Sequence, residues 1–292
     1  MNDQASTGIK VSIIIVTYKS YDVIKECLDS IYRFNDISDS LEIIIVDNSP
    51  LGDPLEMFVS NEYPNVRFIK NEKNNGFGAA NNLGAVAASG RYLLFLNPDT
   101  VLIEPILSYL VTEFDHDPSI GVAGFICRRR DGSVTKSFGV LPEKKIFLPA
   151  MFYYPLIKYL HYTPQNLFPW GADLVIRKDI FERAGMFDEN IFMCYEEPDI
   201  MHRIGNQFRI KIFNRSIIHL DGHTTQPNKL QQRISIALVS EKYYFNKYGM
   251  KYTRYVKKSI LSLTAKKIIK TVFHLQHNPE DEILLKHYKT LL

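Results

Sequence analysis

The sequence predicts an α/β protein with a mainly parallel sheet flanked by helices, followed by a helical C-terminal extension. In the first hundred residues, continuous runs of β-branched residues alternate with segments of helical periodicity. This alternation is typical of parallel sheets, because neighbouring parallel strands need a crossover connection that is usually a helix. From about residue 229 onward the apolar residues keep a helical spacing, which indicates the extension.

Four strands and three helices are predicted in the first hundred residues. Runs such as Ile13-Ile14-Ile15 lack polar alternation, which is the pattern of strands buried on both faces. The third helix is rich in Ala and Asn and is expected to end at Gly90. The strands are predicted at residues 10–17, 41–46, 65–70 and 92–96, and the helices at 22–32, 54–61 and 78–88.

The next part of the chain is less regular. A Pro- and aromatic-rich stretch over residues 128–163 shows no sustained period, so we predict irregular structure there. Around it, helices are predicted at 104–114, 178–184 and 198–205, and strands at 120–127, 172–176 and 209–213.

Composition limits the class of protein. The chain has 292 residues and is 46% hydrophobic, which is enough apolar surface for a sizeable core. The three cysteines are isolated, so we expect small buried side chains in a reducing compartment rather than a disulfide framework or a zinc knuckle. Neither a signal peptide nor an apolar run of about 18 residues is visible, and the sequence predicts a cytoplasmic protein that does not cross a membrane.

Polar residues stand at the ends of three predicted strands. In an open parallel sheet, ligands bind beyond the carboxyl ends of the strands, where one carboxylate can hold a ribose hydroxyl and another a divalent metal. A single Asp there has a simpler explanation as a turn or helix-cap residue, but three polar strand ends together predict a nucleotide-binding crevice. The strand ends are Thr17-Tyr18, Asp47-Asn48 and Asn97-Pro98-Asp99.

A series of short motifs also follows in order along residues 10–225. The segments are VSIIIVTY (11–18), IIVDNS (44–49), NNGF (74–77), NNLG (81–84), LNPDT (96–100), GMFDE (185–189) and YEEPD (195–199). Each is weak alone, but the ordered set resembles family 2 glycosyltransferases of the GT-A fold, especially the bacterial rhamnosyltransferase-like branch. The chain shows no P-loop and no GxGxxG after its first strand, which argues against ATPases and Rossmann dehydrogenases.

The resemblance implies a division of the chain and an activity. A GT-A catalytic domain would occupy residues 1–228, with a nucleotide-binding half at about 10–100 and an acceptor half at about 101–228, before a basic helical extension at 229–292. The implied enzyme is an inverting hexosyltransferase that moves a sugar, with rhamnose as the first candidate, from a dTDP- or UDP-linked donor. The acceptor would be a hydroxyl of a saccharide or lipid-linked saccharide in cell-surface polysaccharide or glycolipid synthesis.

By the same resemblance, eight residues would contact the nucleotide. Physical arguments agree at some of them: Gly76 permits a tight turn, and Asn81 can point into the crevice from the start of a helix. The alternative for the Asn residues is ordinary turn and cap chemistry. The predicted nucleotide contacts are Thr17, Tyr18, Asp47, Asn48, Asn74, Gly76, Asn81 and Asn97.

The segment Asn97-Pro98-Asp99 stands where the family has its DxD metal motif. Because Asn97 replaces the first acid, Asp99 carries the charge alone, and an Mg²⁺ or Mn²⁺ ion would need the donor's phosphates and water as further ligands. The family often adds a histidine near the end of the catalytic domain. His219 matches that position, and His223 is its competitor.

The resemblance also implies the catalytic base and the acceptor site. Glu197 aligns with the family's Asp of Glu-Asp and is the predicted base, with Glu196 as the runner-up and Asp199 as a third member of this catalytic cluster. A carboxylate among like charges has a raised pKa, which suits a base, although acids also stabilise helix N-termini without any catalytic role. Trp170 and Gly171 are predicted beside the acceptor, with burial in the core as the alternative for Trp170.

The C-terminal extension is basic. From Lys251 to the end there are nine Lys or Arg against three acids, and residues 251–275 read as a basic amphipathic helix. Such a helix either contacts an anionic membrane at the inner face of the cell membrane or packs on the catalytic domain, and we do not expect nucleic-acid binding. Two rivals stay open: a sugar nucleotidyltransferase, which should carry a Gly-rich basic loop after the first strand, and an inactive nucleotide-binding protein.

Overall fold

An eight-stranded mixed sheet forms the centre of the protein. The computed structural model describes residues 8–142, 157, 159–160, 163–220, 227–274 and 277–292. The strand order is β3-β2-β1-β4-β9-β6-β10-β5, and a separate pair is formed by β7 and β8. The strands are β1 Val11–Thr17, β2 Leu41–Asp47, β3 Arg67–Lys70, β4 Tyr92–Leu96, β5 Thr100–Leu102, β6 Ile120–Arg128, β7 Phe138–Val140, β8 Leu167–Pro169, β9 Asp173–Arg177 and β10 Arg209–His219.

Helices cover both faces of the sheet and form the C-terminal extension. The side chains of β1 alternate between two cores: Ile13 packs in the cluster that contains Leu28, and Ile14 packs in the cluster that contains Ala80. The helices are α1 Tyr21–Arg33, α2 Leu55–Glu62, α3 Phe77–Ala87, α4 Leu107–His116, α5 Lys178–Arg183, α6 Glu196–Ile204, α7 Pro227–Lys247, α8 Tyr252–Val272 and α9 Pro279–Lys289.

The predicted fold class is confirmed, and so are the strands and helices of the first hundred residues, within a few residues at each end. The cysteines also lie largely as expected, since Cys27 and Cys127 are buried and Cys194 is half-buried. The predicted strand at 120–127 and the helix at 178–184 are present as β6 and α5.

Four details differ from the sequence prediction. Strand β9 runs antiparallel to β4 and β6, and β5 antiparallel to β10, so the part of the sheet that follows residue 100 in the chain is mixed. The strand predicted at 209–213 continues to His219, because a register shift between Ile212 and Ser216 interrupts the apolar alternation without ending the strand. Strand β7 lies inside the stretch predicted to be irregular, and residues 143–156, 158 and 161–162 of that stretch lie outside the described part of the chain.

The fourth difference concerns the acidic cluster, which forms the first turn of α6 instead of preceding a helix. Pro198 is the third residue of this helix. The backbone N–H groups of the first turn have no intrahelical partner, so proline costs little there.

The extension packs on the rest of the chain through an ion-pair network. Lys247 Nζ at the end of α7 lies 2.7 Å from Asp188 Oδ2 and 2.6 Å from Asp199 Oδ1. Burial alone would raise the pKa of Asp188, but its hydrogen bonds with Lys247, Asn190 and Tyr243 outweigh burial and hold the pKa well below its usual range. Among the described residues, none of the helices combines the length and the apolar character needed to span a bilayer.

We predict that Lys247→Met destabilises the protein by about 3 kcal/mol, because it leaves the buried Asp199 carboxylate without this cation. Denaturant unfolding at pH 7 measures the loss. The exposed Lys25–Asp29 pair is the matched control, and Lys25→Met should cost no more than about 0.5 kcal/mol.

The pH dependence of this difference has a definite sign. The folded-state pKa of Asp188 is depressed, so its contribution is present above the unfolded pKa of about 3.9 and is lost as the pH falls through the folded value. The difference in unfolding free energy between Lys247→Met and the parent protein should therefore be smaller at pH 3 than at pH 7. An equal difference at the two pH values would contradict the assignment of Lys247 as a cation that lowers the pKa of Asp188.

Candidate active site

Asp47 lies buried at the end of β2 within a set of donors. Thr17 Oγ1 donates to Asp47 Oδ1 at 2.8 Å, Ser49 Oγ donates to the same oxygen at 2.6 Å, and Lys70 Nζ donates to Oδ2 at 2.6 Å. Burial acts to raise the pKa of Asp47, but the hydrogen bonds from Lys70, Ser49 and Thr17 lower it below its usual range. Asp47 is therefore held as an anion beside a cation.

Lys70 was missed by the sequence prediction. It ends β3, and it lies opposite Asp47 in the parallel register of β2 and β3. The sequence does show that Lys70 ends a predicted strand, as Asp47 follows another. That the two strands are neighbours in the sheet depends on the tertiary structure and could not be predicted from the sequence. Tyr18, the other predicted contact at this strand end, has 51% of its surface exposed at the mouth of the site.

The turn before α3 is fixed by amide hydrogen bonds. Asn48 Nδ2 donates to Asn74 Oδ1 at 3.2 Å and to the Gly76 carbonyl at 3.3 Å. Gly76 has φ +106°, and a Cβ there would lie 2.2 Å from the Phe192 carbonyl oxygen, so only glycine fits. The structure thus brings Asn48, Asn74 and Gly76, three of the predicted nucleotide contacts, together at one turn. This turn contacts Phe192 in the segment that leads to α6.

Two asparagines of α3 have different surroundings. Asn81 is buried, its Nδ2 donates to the Phe77 carbonyl at 3.0 Å, and its Oδ1 has no hydrogen-bond partner in the described structure. Asn82 was not predicted to have a role, yet its amide accepts from Phe187 N and donates to the Phe187 carbonyl and to Glu189, each at 3.0 Å. Asn82 therefore fixes the GMFDE segment, whereas the side-chain oxygen of Asn81 is buried without a hydrogen-bond partner among the described residues.

Asp99 and His219 are brought into direct contact. His219 Nε2 lies 3.2 Å from Asp99 Oδ1, and the two side chains are 19% and 16% exposed. The antiparallel pairing of β5 and β10 places His219 opposite Thr100, and Leu220 N donates to the Asp99 carbonyl at 2.9 Å. Their role as metal ligands stays a prediction, and His223 lies outside the described residues.

The donor atoms of this pair fit a divalent ion. A carboxylate oxygen and an imidazole nitrogen are ligands that Mn²⁺ accepts, and carboxylate alone suits Mg²⁺. Over the described ranges there is no cluster of three or more His, Cys, Asp or Glu that could enclose an ion. An ion bound here would therefore take its remaining ligands from outside these protein side chains.

Asp173 is a buried carboxyl beside this pair. Its Oδ2 accepts from Phe125 N at 2.6 Å, and its Oδ1 has no partner among the described residues. Burial raises the pKa of Asp173 to about 7, although the Phe125 hydrogen bond and the charge of His219 act in the opposite direction. No role for Asp173 was predicted from the sequence.

Glu196 and Glu197 are two adjacent buried carboxyls at the start of α6. Glu197 Oε1 accepts from Gly171 N at 2.6 Å, and a Cβ on Gly171 would lie 2.4 Å from the same oxygen. Burial raises the pKa of both, and for Glu196 the charge of Glu197 raises it further. Glu196 Oε1 has no partner in the described part of the chain, so this carboxyl is the less stabilised of the two.

Asp199 has different contacts. Arg203 Nη2 and Nε donate to its Oδ2 at 2.6 and 2.9 Å, while Lys247 Nζ and Tyr248 OH donate to its Oδ1 at 2.6 and 2.8 Å. Both oxygens are occupied by cationic or hydroxyl donors, so this carboxylate is poorly placed to take a proton from an acceptor. The structure places Asp199 in the network that joins α6 to α7, and its membership of the catalytic cluster stays a prediction.

Trp170 is half-buried and borders the site instead of lying in the core. Lys136 Nζ lies 5.4 Å from the centroid of its ring, and Lys136 also pairs with Glu280 Oε2 of α9 at 3.0 Å. The indole Nε1 has no hydrogen-bond partner among the described residues. Trp170 thus lies next to Gly171 with its ring in contact with Lys136 and Phe168.

The segment 170–173 connects the two groups of carboxylates. Gly171 N holds Glu197, while the Ala172 carbonyl accepts from Asn97 N at 3.0 Å. Native proteins pair nearly all buried polar atoms, so a group of unpaired ones needs an explanation, of which bound water and a bound ligand are two. Among the described residues, the unpaired atoms in this region are Asn81 Oδ1, Trp170 Nε1, Asp173 Oδ1 and Glu196 Oε1.

Comparison with known proteins places this geometry in a family. Residues 12–185 match the family model described as glycosyl transferase family 2. The chain is 28% identical over 211 residues to the low-salt glycan biosynthesis hexosyltransferase of Haloferax volcanii, covering 66% of this chain and 61% of that protein. It is 25% identical over 213 residues to the N-acetylglucosaminyl-diphospho-decaprenol L-rhamnosyltransferase of Mycobacterium tuberculosis, covering 63% and 68% of the two chains.

A solved structure supports the same fold. A mannosyltransferase of Pyrobaculum calidifontis, in complex with GDP-Man and Mn²⁺, matches with a TM-score of 0.57 at 14% identity, over 96% of this chain and 68% of that one. The chain spans about three-fifths of the length of the first curated relatives it matches, 61% in the H. volcanii case. On the extent of the family-model match, this chain belongs to glycosyl transferase family 2.

Proposed function

We propose that the protein transfers a sugar from a nucleotide-diphosphate donor to an acceptor hydroxyl, with inversion at the anomeric carbon, in cell-surface polysaccharide or glycolipid synthesis. One observation carries the proposal: the Asp99–His219 pair and the buried Glu196–Glu197 pair are joined by the short segment 170–173. Transfer of a sugar from a diphosphate requires one group that binds the charge of the diphosphate and a second group nearby that accepts the proton of the acceptor. The Asp99–His219 pair suits the first task and the Glu196–Glu197 pair the second.

Asp99 and His219 would hold a divalent ion, Mg²⁺ or Mn²⁺, together with the donor's phosphates. When bound, such an ion neutralises the negative charge that develops on the departing diphosphate. The donor atoms fit, and the mannosyltransferase neighbour was solved with Mn²⁺. The nucleotide itself would lie against Thr17, Asp47 and the turn that contains Gly76.

Glu197 is our candidate for the base. The Gly171 amide fixes its Oε1, and we assign Oε2 to take the proton of the acceptor hydroxyl. As that proton leaves, the acceptor oxygen bonds to the anomeric carbon, and the bond from that carbon to the diphosphate oxygen breaks. A single displacement of this kind inverts the anomeric centre. The raised pKa of Glu197 suits the role, because a base works best when its pKa approaches the working pH.

For the sugar, we propose rhamnose from a dTDP-linked donor. The sequence resemblance and the name of the M. tuberculosis relative support it, while the mannosyltransferase neighbour binds GDP-Man. Release of nucleoside diphosphate from a panel of dTDP-, UDP- and GDP-sugars, with and without acceptor, tests this choice. The same panel separates transfer from the nucleotidyltransferase alternative, because a nucleotidyltransferase releases no nucleoside diphosphate from a nucleotide-sugar. It would need added pyrophosphate and would form a nucleoside triphosphate and a sugar phosphate.

We predict that Asp99→Ala and His219→Ala remove the Mn²⁺-dependent part of donor binding. For the parent protein, a saturating donor with Mn²⁺ should raise the melting temperature by on the order of 5 °C, and each variant should lose most of that gain. Asp179→Ala, at an exposed carboxylate paired with Arg183, is the control. Unchanged Mn²⁺-dependent stabilisation in both site variants would overturn the metal assignment.

We predict that Glu197→Gln lowers kcat by roughly 10²- to 10⁴-fold and leaves the donor affinity unchanged. Because burial raises the pKa of Glu197, the activity of the parent protein should rise with pH, and the midpoint of this rise should lie above the usual Glu pKa of about 4.3. Steady-state kinetics from pH 5 to 9 and donor calorimetry measure the two effects. If Glu196→Gln abolishes transfer while Glu197→Gln stays active, the base is Glu196.

The outer face of α8 supports a contact with membranes. Its first half packs on the protein through Tyr255 and Val256, whereas Leu261, Ile268 and Val272 are 62%, 58% and 63% exposed. These three lie on one side of the helix at spacings of seven and four residues. On the same side, one to two turns earlier, lie the exposed cations Arg254, Lys257 and Lys258.

We propose that this face rests on an anionic bilayer, since exposed apolar side chains next to exposed cations suit an interface with acidic headgroups. Sedimentation with phosphatidylglycerol vesicles should capture the protein, and neutral phosphatidylcholine vesicles should capture much less. The double variant Leu261→Asp/Ile268→Asp should stay in the supernatant. Met57→Asp, at an exposed apolar residue of α2, is the control, and equal capture of all three proteins would contradict the proposal.

A further inference from the structure

A strained turn directly precedes the acidic helix. Cys194 has φ 68° and Tyr195 has φ 75°, so two consecutive non-glycine residues adopt the left-handed conformation. A non-glycine residue in this conformation is strained and persists only where its surroundings enforce it. The Tyr195 carbonyl accepts from Asp199 N at 3.0 Å, which is the first hydrogen bond of α6. The strained turn therefore determines where the helix that carries Glu196 and Glu197 begins.

Helix α7 of the C-terminal extension holds this turn from outside. Ser240 Oγ donates to the Met193 carbonyl at 2.9 Å, and Tyr195 OH donates to Glu241 Oε2 at 2.5 Å. The Tyr195 ring also packs against Tyr244, with 5.5 Å between the ring centroids. The contacts therefore reach both the backbone and the side chain of the strained segment.

Glu241 collects hydroxyl donors from three parts of the chain. Besides Tyr195, Tyr252 OH of α8 donates to Oε1 at 2.9 Å, and Tyr288 OH of α9 lies 3.0 and 2.9 Å from Oε1 and Oε2. Glu241 is buried, and a buried carboxylate needs several donors to offset its lost hydration. Three short hydrogen bonds satisfy it and at the same time fix the position of Oε2 against Tyr195.

We propose that Glu241 and Tyr195 are positioning residues for the reaction, which hold the strained turn so that Glu197 stays aligned with the acceptor. This rests on the proposed function. A Glu197 carboxylate bonded to Gly171 has little freedom, and a displacement of its helix start by about 1 Å costs on the order of a hundredfold in rate. The C-terminal extension thereby acts on the reaction without touching the substrate.

The test compares Tyr195→Phe and Glu241→Gln with the parent protein. We expect kcat to fall by about ten- to hundredfold in each, with the donor KM within about twofold of its original value. The double variant should be no slower than the slower single variant, because both changes break the same hydrogen bond between Tyr195 and Glu241. Tyr63→Phe is the matched control, since Tyr63 is buried and donates to the carboxylate of Asp29 at 2.7 Å on the far side of the sheet.

A purely structural role gives a different result. If Tyr195→Phe and Glu241→Gln lower the melting temperature as Tyr63→Phe does and keep the original kcat, the inference is overturned. Hydrogen exchange of amides 194–197 provides a readout that needs no substrate. Faster exchange there in Tyr195→Phe, but not in Tyr63→Phe, supports the inference even if no donor is turned over, and such a missing turnover would count against the proposed function alone.

Discussion

Two adjacent carboxyls buried at one helix start, Glu196 and Glu197, are the constraint around which this half of the molecule is arranged. Burial and mutual repulsion both oppose ionisation of the pair. The fold offsets part of that cost with the helix N-terminus and with the Gly171 amide. The remaining cost is not offset, because Glu196 Oε1 has no protein partner in the described structure.

Several features beyond the site make sense as supports for this pair. Gly78 approaches Glu196 so closely that a Cβ there would lie 3.3 Å from its Cγ, so α3 reaches the acidic helix directly. On the opposite side, Asp199 is bound to both Arg203 and Lys247, which anchors the helix to the extension. Along one helix, the strained start thus carries a carboxyl oxygen without a partner among the described residues, whereas Asp199 of the same turn carries a carboxylate with both oxygens paired.

The sequence was sufficient for the fold and for the chemical types at the strand ends. Runs such as 11–17 could hardly form anything but a buried strand, and polar residues at the ends of parallel strands must share one edge. The direction of β9 and the extent of β10 were not accessible, because both depend on pairing between segments distant in the chain. For the same reason Lys70 and Glu241 escaped notice: a lysine ending a strand and a glutamate within a helix look ordinary until their partners are known.

The turn of residues 74–77 touches the segment that leads to the acidic helix. Phe77 N donates to the Phe192 carbonyl at 2.8 Å, and Phe192 stands two residues before the left-handed pair of residues. Under the proposed function, a nucleotide bound against this turn would restrain the peptide that precedes the acidic helix. The proposed donor site and the proposed base would then be coupled through one backbone hydrogen bond, and such a coupling would favour binding of the donor before the acceptor.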